Sequence, residues 1–323
     1  SDLTSAAGDT TPDATPTVDP TAAQYALIGA NIGAAATDVD NLALLNDIVG
    51  GLQTADVDTI AEINELARIA NAIQTLAAGG TPTPALTPSD FAKVGLSGTT
   101  TDNLPAVLAA IAGKADSGAE TDSLGELQNI ITTAAAAQTA AINKIAAYAE
   151  TGVTAPTAQD YVDAGVAGVT PGNVSAINDA IDHQVGSDAT LGNANDKDGA
   201  DTTAEVQAIV NAYNKVLVAA NGSDGDASAA NTANAVDYAN LGVTGVDAAT
   251  AALLSDVVDS KASTEVDTVA ELQTLADAAK VVLGYDSAAT DTAPTVADLN
   301  HLVSGVTDAN LAAVLSALET ANG

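Results

Sequence analysis

The clearest candidate for ion-binding chemistry is an acidic segment near the middle of the chain. Residues 195–201 read Asn-Asp-Lys-Asp-Gly-Ala-Asp. Aligned with the calcium loop of an EF-hand, Asp196 and Asp198 take the third and fifth positions, and a glycine follows where that loop turns sharply. The first position is Ala194, which has no side-chain ligand. Calcium is the one cofactor that the sequence suggests, with Asp196, Asp198 and Asp201 as candidate ligands, and weak divalent binding spread over many acidic loops is favoured over one tight site.

A glutamate recurs four times in one short frame and could serve general acid/base chemistry. The frame is Asp-Thr/Ser-x-x-Glu, and a Thr or Ser three residues before a Glu is typical of the capping box that opens a helix. Because the frame occurs once in each of four sequence repeats, helix capping is favoured over proton transfer. The four glutamates are Glu62, Glu126, Glu205 and Glu271.

The other reactive residue types form no catalytic constellation. His183 and His301 occupy non-equivalent positions, and we expect both to be surface side chains. The chain has no cysteine, which excludes disulfides and thiolate metal sites. Its recurrent Gly-x-x-Gly segments lack the lysine of a phosphate-binding loop. Because no nucleophile, base and orienting group can be assembled, we predict that the protein is not an enzyme.

Charge and composition narrow the range of partners. The 323 residues carry 42 acidic and 8 basic side chains, which gives a formal net charge of −34. So few basic residues cannot neutralise a run of phosphates, and we expect no nucleic-acid partner. Hydrophobic residues make up 47% of the chain, enough for a core, but no apolar run is long enough for membrane insertion. A pI of about 4.1 and abundant Thr, Asp, Asn and Gly favour a secreted bacterial surface protein.

The chain repeats itself in two frames. The first, Asp-Tyr/Phe-x-x-x-Gly-Val/Leu-x-Gly, begins at Asp90, Asp160 and Asp237, with a looser copy around Tyr25 and a shortened one at Asp298. The second is the Asp-Thr/Ser-x-x-Glu frame, which follows each of the first four copies. Together they predict a Thr/Pro/Asp-rich linker or arm, then four repeats and a half repeat: 1–20, 21–86, 87–155, 156–232, 233–293 and 294–323. The third repeat carries a long acidic insertion.

Each sequence repeat predicts three helices. The first is short, contains the aromatic residue as a core anchor and ends at a glycine suited to a left-handed conformation. The second has Thr100, Thr170, Asp247 and Thr307 as N-cap candidates, with Pro171 at a first helical position. The third opens with the capping box and continues with apolar residues at helical spacing. No segment alternates with period two, so we predict an all-α fold of tandem three-helix repeats, solenoid-like or as beads on a string.

These frames resemble the Ala/Thr/Asp-rich helical repeats of large secreted bacterial adhesins and surface-layer-like proteins, the group of RTX-type and biofilm adhesins. The residues that carry the resemblance best are Asp160-Tyr161, Gly165-Val166, Gly168-Val169-Thr170, Asp201-Thr202 and Glu205-Val206-Gln207. The resemblance covers residues 21–320 and implies a structural or adhesive role outside the cell. It also implies type I export beside calcium-binding modules, although the glycine-rich calcium nonapeptides of such proteins are absent here. A looser similarity exists to three-helix modules that bind serum albumin.

We therefore expect a non-catalytic extracellular structural protein at the bacterial cell surface. It would be a helical-repeat segment of an adhesin, filament or surface layer that self-associates with identical chains or neighbouring repeats, or that spaces other modules. The alternative is a binding module that recognises a cell-surface ligand of a host or neighbouring cell through its inter-helix loops. The long insertion at residues 183–201 is the best candidate loop for that alternative.

Overall fold

The structure is a computed structural model, and it describes residues 19–114, 120–184, 199–223, 231–285 and 292–322. These residues form fourteen α-helices and no β-strand, although Asn221 and Ala262 pair in an isolated β-bridge. The predicted all-α fold is confirmed.

The helices differ in length according to their place in the sequence frames. Among the described residues, five short helices are α1 Ala22–Leu27, α4 Pro88–Lys93, α7 Ala158–Asp163, α10 Ala235–Asn240 and α13 Val296–Leu302. Five middle helices are α2 Val39–Gly51, α5 Leu104–Ala112, α8 Val174–Asp182, α11 Ala248–Asp259 and α14 Leu311–Asn322. Four long helices are α3 Ile60–Ala77, α6 Leu124–Thr151, α9 Thr203–Ala219 and α12 Val269–Leu283. Short 3-10 turns lie at Gly33–Ala36, Thr54–Asp56 and Ser263–Glu265.

Each short helix begins with a capping box that the sequence analysis did not predict. In α4, Thr87 Oγ1 accepts the Asp90 N–H at 3.3 Å, and the Asp90 carboxylate accepts the Thr87 N–H at 2.8 Å. The other boxes are Thr21/Gln24, Thr157/Asp160, Asn234/Asp237 and Thr295/Asp298. The predicted glycine stop is confirmed. Gly165 after α7 has φ 77°, and the Val166 N–H donates to Tyr161 O at 2.8 Å, as in a Schellman motif.

The middle helices begin later than most of their predicted N-caps. The prediction was wrong for Thr100, Thr170 and Thr307, each of which precedes a turn rather than a helix. An asparagine causes the difference: Asn173 Oδ1 accepts the Thr170 N–H at 2.7 Å, which closes the turn and makes Asn173 the N-cap of α8. Pro171 therefore lies in this turn and not at a first helical position. Asp247 is the N-cap of α11, as predicted, and accepts a first-turn N–H at 2.8 Å.

The capping boxes predicted for the long helices are confirmed. In α9, Thr202 Oγ1 accepts the Glu205 N–H at 3.2 Å, and the Glu205 carboxylate accepts the Thr202 N–H at 3.1 Å. Thr59/Glu62 and Thr268/Glu271 form the same box, and at Ser123/Glu126 the serine hydroxyl accepts the Glu126 N–H and donates to the Glu126 carboxylate. Helix α6 has 28 residues and is rich in alanine, the residue with the highest helix propensity.

The chain divides into two compact units, each with buried aromatic side chains. The first unit comprises residues 1–140 and 163–165, and the second comprises 141–162 and 166–323. In the first unit, Tyr25 and Phe91 are fully buried in one hydrophobic cluster. In the second unit, the fully buried aromatic residues are Tyr161, Tyr213 and Tyr238. The recurrent aromatic residues of the first frame are therefore core anchors, as predicted.

Candidate functional site

The predicted calcium ligands fall mostly outside the described residues. Asp196 and Asp198 lie there, together with most of the insertion at residues 183–201. Asp201 is described: it directly precedes the N-cap of α9, and its side chain shares a hydrogen bond with Glu205. Calcium binding by these aspartates therefore stays a prediction, and so does ligand recognition through the insertion.

Asp201 belongs to a series of aspartate–glutamate pairs at the starts of the long helices. The hydrogen-bonded pairs are Asp58/Glu62, Asp122/Glu126, Asp201/Glu205 and Asp267/Glu271. Hydrogen bonds from Thr59 lower the pKa of Glu62, so its carboxylate is a weak base that is unsuited to proton transfer. Within the described residues, no group of three or more acidic or histidine side chains is arranged to hold a metal ion.

The two histidines lie on different helices and face solvent. His183 is the C-cap of α8; its Nδ1 is 2.7 Å from Asp179 O, and its side chain is 43% exposed. His301 lies in the last turn of α13 and is also exposed. Both are surface side chains, as expected.

A cleft of about 560 Å³ in the first unit is lined by charged residues, among them Asp56, Glu62, Glu65 and Lys93. Glu65 accepts hydrogen bonds at 2.8 Å from Arg68 and from Lys93. These bonds lower the pKa of Glu65 to about 2, so it stays ionised at physiological pH. Arg68 and Lys93 therefore neutralise Glu65, whereas the carboxylates of Asp56 and Glu62 leave the lining of this cleft acidic.

A second cleft in the first unit, of about 450 Å³, is lined by asparagines. Asn64 Oδ1 accepts the Asn31 N–H at 2.7 Å. Asn71 Nδ2 donates to Ile32 O at 2.9 Å, and its Oδ1 accepts the Ala35 N–H at 3.2 Å. Asn64 and Asn71 thus bind the backbone that follows α1 and fix it against α3.

A glutamine clamp joins long helices to the Gly-x-x-Gly loops. Gln207 Oε1 accepts the Ala167 N–H at 2.8 Å, and its Nε2 donates to Ala167 O at 3.0 Å. The same double contact links Gln128 to Ser97 and Gln273 to Thr244. One side-chain amide thus satisfies both backbone groups of the loop residue and fixes the loop against the long helix.

Ion pairs join long helices to the short helix that follows. Lys215 Nζ on α9 lies 2.8 Å from both carboxylate oxygens of Asp237 in α10, a side chain only 10% exposed. Arg68–Asp90 and Lys144–Asp160 form the same connection. Sequence reasoning missed these pairs, although the basic residues give a signal. Of the eight basic residues in the sequence, four lie on long helices, with one on each of the four: Arg68, Lys144, Lys215 and Lys280.

The buried tyrosines are paired with polar residues of the middle helices. Tyr161 Oη donates to Asn178 Oδ1 at 2.7 Å, and Asn178 Nδ2 donates to Pro156 O at 2.9 Å. Tyr25, Asn46 and Pro20 repeat this chain of bonds. Where the aromatic residue is Phe91, the position equivalent to Asn178 is Leu108. Burial raises the pKa of the Tyr161 hydroxyl, which therefore remains a donor.

Carboxylates of middle helices also reach the starts of long helices further along the chain. Asp47 on α2 accepts the Leu124 N–H at the start of α6, and Asp179 on α8 accepts the Val269 N–H of α12 at 2.6 Å. Both carboxylates thus satisfy a first-turn N–H that has no partner within its own helix.

No known protein family, curated protein or solved structure matches the chain. Its function is therefore inferred from its own geometry. Among the described residues, no helix combines the length and the apolar character that a membrane crossing needs.

The tyrosine contacts predict different costs for the same substitution at two sites. Tyr161→Phe should lower the free energy of unfolding by about 1–2 kcal/mol, because Asn178 Oδ1 would be buried without a donor. Tyr238 is equally buried, but Ser255 stands where the asparagine would be. The Tyr238 hydroxyl has no hydrogen-bond partner in the described part of the chain. Tyr238→Phe should therefore be neutral or slightly stabilising. Urea unfolding followed by circular dichroism measures both; equal losses would contradict the assigned hydrogen bonds.

One carboxyl pair makes stability depend on pH. Burial, the neighbouring Glu126 and the more distant charge of Asp40 raise the pKa of Asp122 to about 6. An unfolded aspartate titrates at about 4, so the folded state binds the extra proton more readily between these values. Stability from this group is therefore gained as pH falls through 6, and the gain is complete below about 4.

We expect the chain to unfold at a higher urea concentration at pH 5 than at pH 7. Asp122→Asn should raise the free energy of unfolding at pH 7, by on the order of 1 kcal/mol, and should reduce the gain between pH 7 and pH 5. Part of the gain should remain in this variant, because burial and Glu271 also raise the pKa of Asp267. A variant with an unchanged pH profile would contradict the role of Asp122. The measurement is the urea midpoint of unfolding of the unmodified chain and of the Asp122→Asn variant at pH 5 and at pH 7.

Proposed function

We propose that the chain is a tandem array of three-helix repeats with a non-catalytic structural function. Each repeat consists of a short, a middle and a long helix, and α13 with α14 forms the half repeat. What supports this is the recurrence of one contact set: the capped short helix, the glutamine clamp and the ion pair to the next short helix. Because the ion pairs use corresponding sequence positions, the first three repeats are each joined to the next repeat by the same chemistry.

The use of polar groups also favours a scaffold over an active site. The capping glutamates, the clamp glutamines and the asparagines of the cleft each bind backbone groups of the chain itself. The pKa of Glu65 is lowered by its two cationic neighbours and is far from the neutral range that a general acid or base requires. Polar residues thus determine how helices meet.

We place this array at the bacterial cell surface, as a segment of an adhesin, filament or surface layer that self-associates or spaces other modules. A formal charge of −34 keeps single chains apart at low ionic strength and is screened by salt or divalent cations. Assembly would therefore respond to the ionic conditions outside the cell. The resemblance of the two frames to secreted adhesin repeats points in the same direction.

Light scattering on the purified full chain tests the assembly part of this proposal. We expect the mass to rise above the 31.5 kDa of one chain as sodium chloride or calcium chloride is added. Comparing the two salts at equal ionic strength separates general screening from calcium binding, since screening alone makes them equivalent. A monomer under all conditions would contradict self-association. Antibody labelling of intact cells tests the location, which labelling only after permeabilisation would contradict.

A further inference from the structure

The last middle helix, α14, has an apolar face that is less buried than the same face of its counterparts. The comparable positions lie four and eight residues after the Asn or Thr that aligns with Asn310. At the first of them Leu45, Val107, Ile177 and Leu254 are all 0% exposed, and at the second Val49, Ile111, Ile181 and Val258 are 0–2% exposed. In α14 these positions are Val314 and Leu318, and both are only half-buried.

A long helix covers this face elsewhere in the chain. Helix α3 packs on α2, α9 packs on α8 and α12 packs on α11. Helix α14 keeps large apolar residues at the positions that those long helices bury, and it is the last helix of the described residues. The uncovered face therefore has the shape and chemistry of a seat for one more long helix.

The loop before α14 presents the backbone groups that a glutamine clamp takes. Ser97, Ala167 and Thr244 each bind a long-helix glutamine through both their N–H and their C=O. Their counterpart is Ser304, directly before Gly305, which has φ 93°. Ser304 is exposed, and no glutamine within the described residues contacts it.

A carboxylate lies where the start of such a helix would be held. Asp47 and Asp179 accept the first N–H of a long helix, and the same position of α11 is Asp256. Asp256 is exposed, whereas its two counterparts are half-buried beneath the helices that they hold. Within the described residues, three contacts that are filled elsewhere are therefore open here: the apolar face, the backbone of Ser304 and the Asp256 carboxylate.

We propose that the surface formed by α11, α13 and α14 binds an amphipathic helix of the long-helix type. The partner carries a Thr/Ser-x-x-Glu capping box, a glutamine two residues after the glutamate, and apolar residues at the spacing of Leu272, Leu275 and Ala279. Its first N–H binds Asp256, its glutamine clamps Ser304, and its apolar face covers Val314 and Leu318. This rests on the proposed repeat architecture, and it states the chemistry of the helix that this surface takes.

A peptide taken from the chain itself is the probe. Residues 266–285 contain α12 with its capping box and glutamine, and the peptide is acetylated, amidated and fluorescently labelled. Titration with the full chain should give saturable one-to-one binding by fluorescence anisotropy, with a gain of helix by circular dichroism. The control peptide carries Leu272→Asp, which places a charge on its apolar face, and should not bind. Absence of binding by the unmodified peptide overturns the proposal.

Variants of the chain locate the site. Val314→Asp and Asp256→Ala should each weaken peptide binding, Val314→Asp by roughly tenfold or more because it puts a charge at the centre of the contact. Ser316→Asp, on the exposed side of α14, is the matched control and should bind as the unmodified chain does. Asp256 is exposed, so its replacement keeps the test valid if Val314→Asp disturbs α14. Equal binding by Asp256→Ala, Val314→Asp and Ser316→Asp overturns the assigned site.

The peptide assay and the light-scattering assay can fail independently. A chain that stays monomeric in every salt but binds the peptide retains this docking site and loses the self-association proposed above. A chain that assembles in salt but does not bind the peptide loses the docking site and retains the assembly.

Discussion

Replacing Ile181 with alanine should lower the free energy of unfolding by about 3 kcal/mol, within the range for large-to-small changes in a packed core. Ile181 is 0% exposed on α8, where α9 packs over it. The substitution removes three carbon atoms and leaves a cavity that the surrounding core closes only in part. Alanine-rich helix contacts bury little area per residue, so each large apolar side chain carries a large share of the core.

The matched control is Leu318→Ala, at the same position of α14. Leu318 is half-buried, so truncating it should cost no more than about 1 kcal/mol. Urea unfolding of the full chain, followed by circular dichroism, compares the two variants. Equal losses would mean that α14 is covered as completely as α8, which contradicts the open face described above.

The elements of this fold could be predicted because their signals are local. A Thr-x-x-Glu box lies within one helical turn, and a glycine four residues after an aromatic ends a short helix whatever surrounds it. The turn before α8 was mispredicted for the same local reason. Thr170 and Asn173 can both cap a helix, and only the structure shows that the asparagine closes the turn and moves the helix start past Pro171.

The contacts between helices could not be derived from sequence spacing alone. The paired residues are 22 positions apart in Arg68–Asp90 and Lys215–Asp237, but 16 apart in Lys144–Asp160, so they form no fixed motif. The spacing differs because long helices can vary in length while the junction is kept. The aspartate was visible in the sequence frame, but its partner was not.

One contact between helices, the tyrosine–asparagine pair, does have a signal in the sequence, because the residue types at its two positions change together from one sequence repeat to another. Tyr161 occurs with Asn178, whereas Phe91 occurs with Leu108, so a hydroxyl is matched by an amide and a bare ring by an apolar chain. A buried polar group without a partner is costly, which links the two positions. Tyr238 with Ser255 is the exception: within the described residues the Tyr238 hydroxyl has no hydrogen-bond partner, so the match is incomplete there.

The excess of acidic residues makes the basic ones at the junctions more important than their number suggests. With 8 basic against 42 acidic side chains, the chain places three of them on aspartates that also cap a short helix. Exposed acidic residues are hydrated and screened, and their repulsion is spread over the surface. A buried carboxylate such as that of Asp237 is poorly hydrated and poorly screened, so it needs its cation.

Lys215→Ala should therefore lower the free energy of unfolding by about 2 kcal/mol. The substitution leaves Asp237, 10% exposed, without its ammonium partner. Breaking a fully buried pair costs about 3–5 kcal/mol, and the cost is smaller here because Lys215 is 32% exposed and water can approach. Since the remaining charge is buried, salt should compensate little of the loss.

A second lysine in the same unit shows whether the loss comes from burial. Lys261 Nζ lies 3.8 Å from Glu265, a side chain 55% exposed, and Lys261→Ala should cost less than about 0.5 kcal/mol. Adding Asp237→Asn to Lys215→Ala should recover part of the loss, because the asparagine oxygen can still accept the Asn234 N–H that caps α10. Urea midpoints of the three variants measure both differences. If Lys215→Ala cost no more than Lys261→Ala, the ion pair would orient α10 without stabilising it, and the helix junction would depend on apolar packing alone.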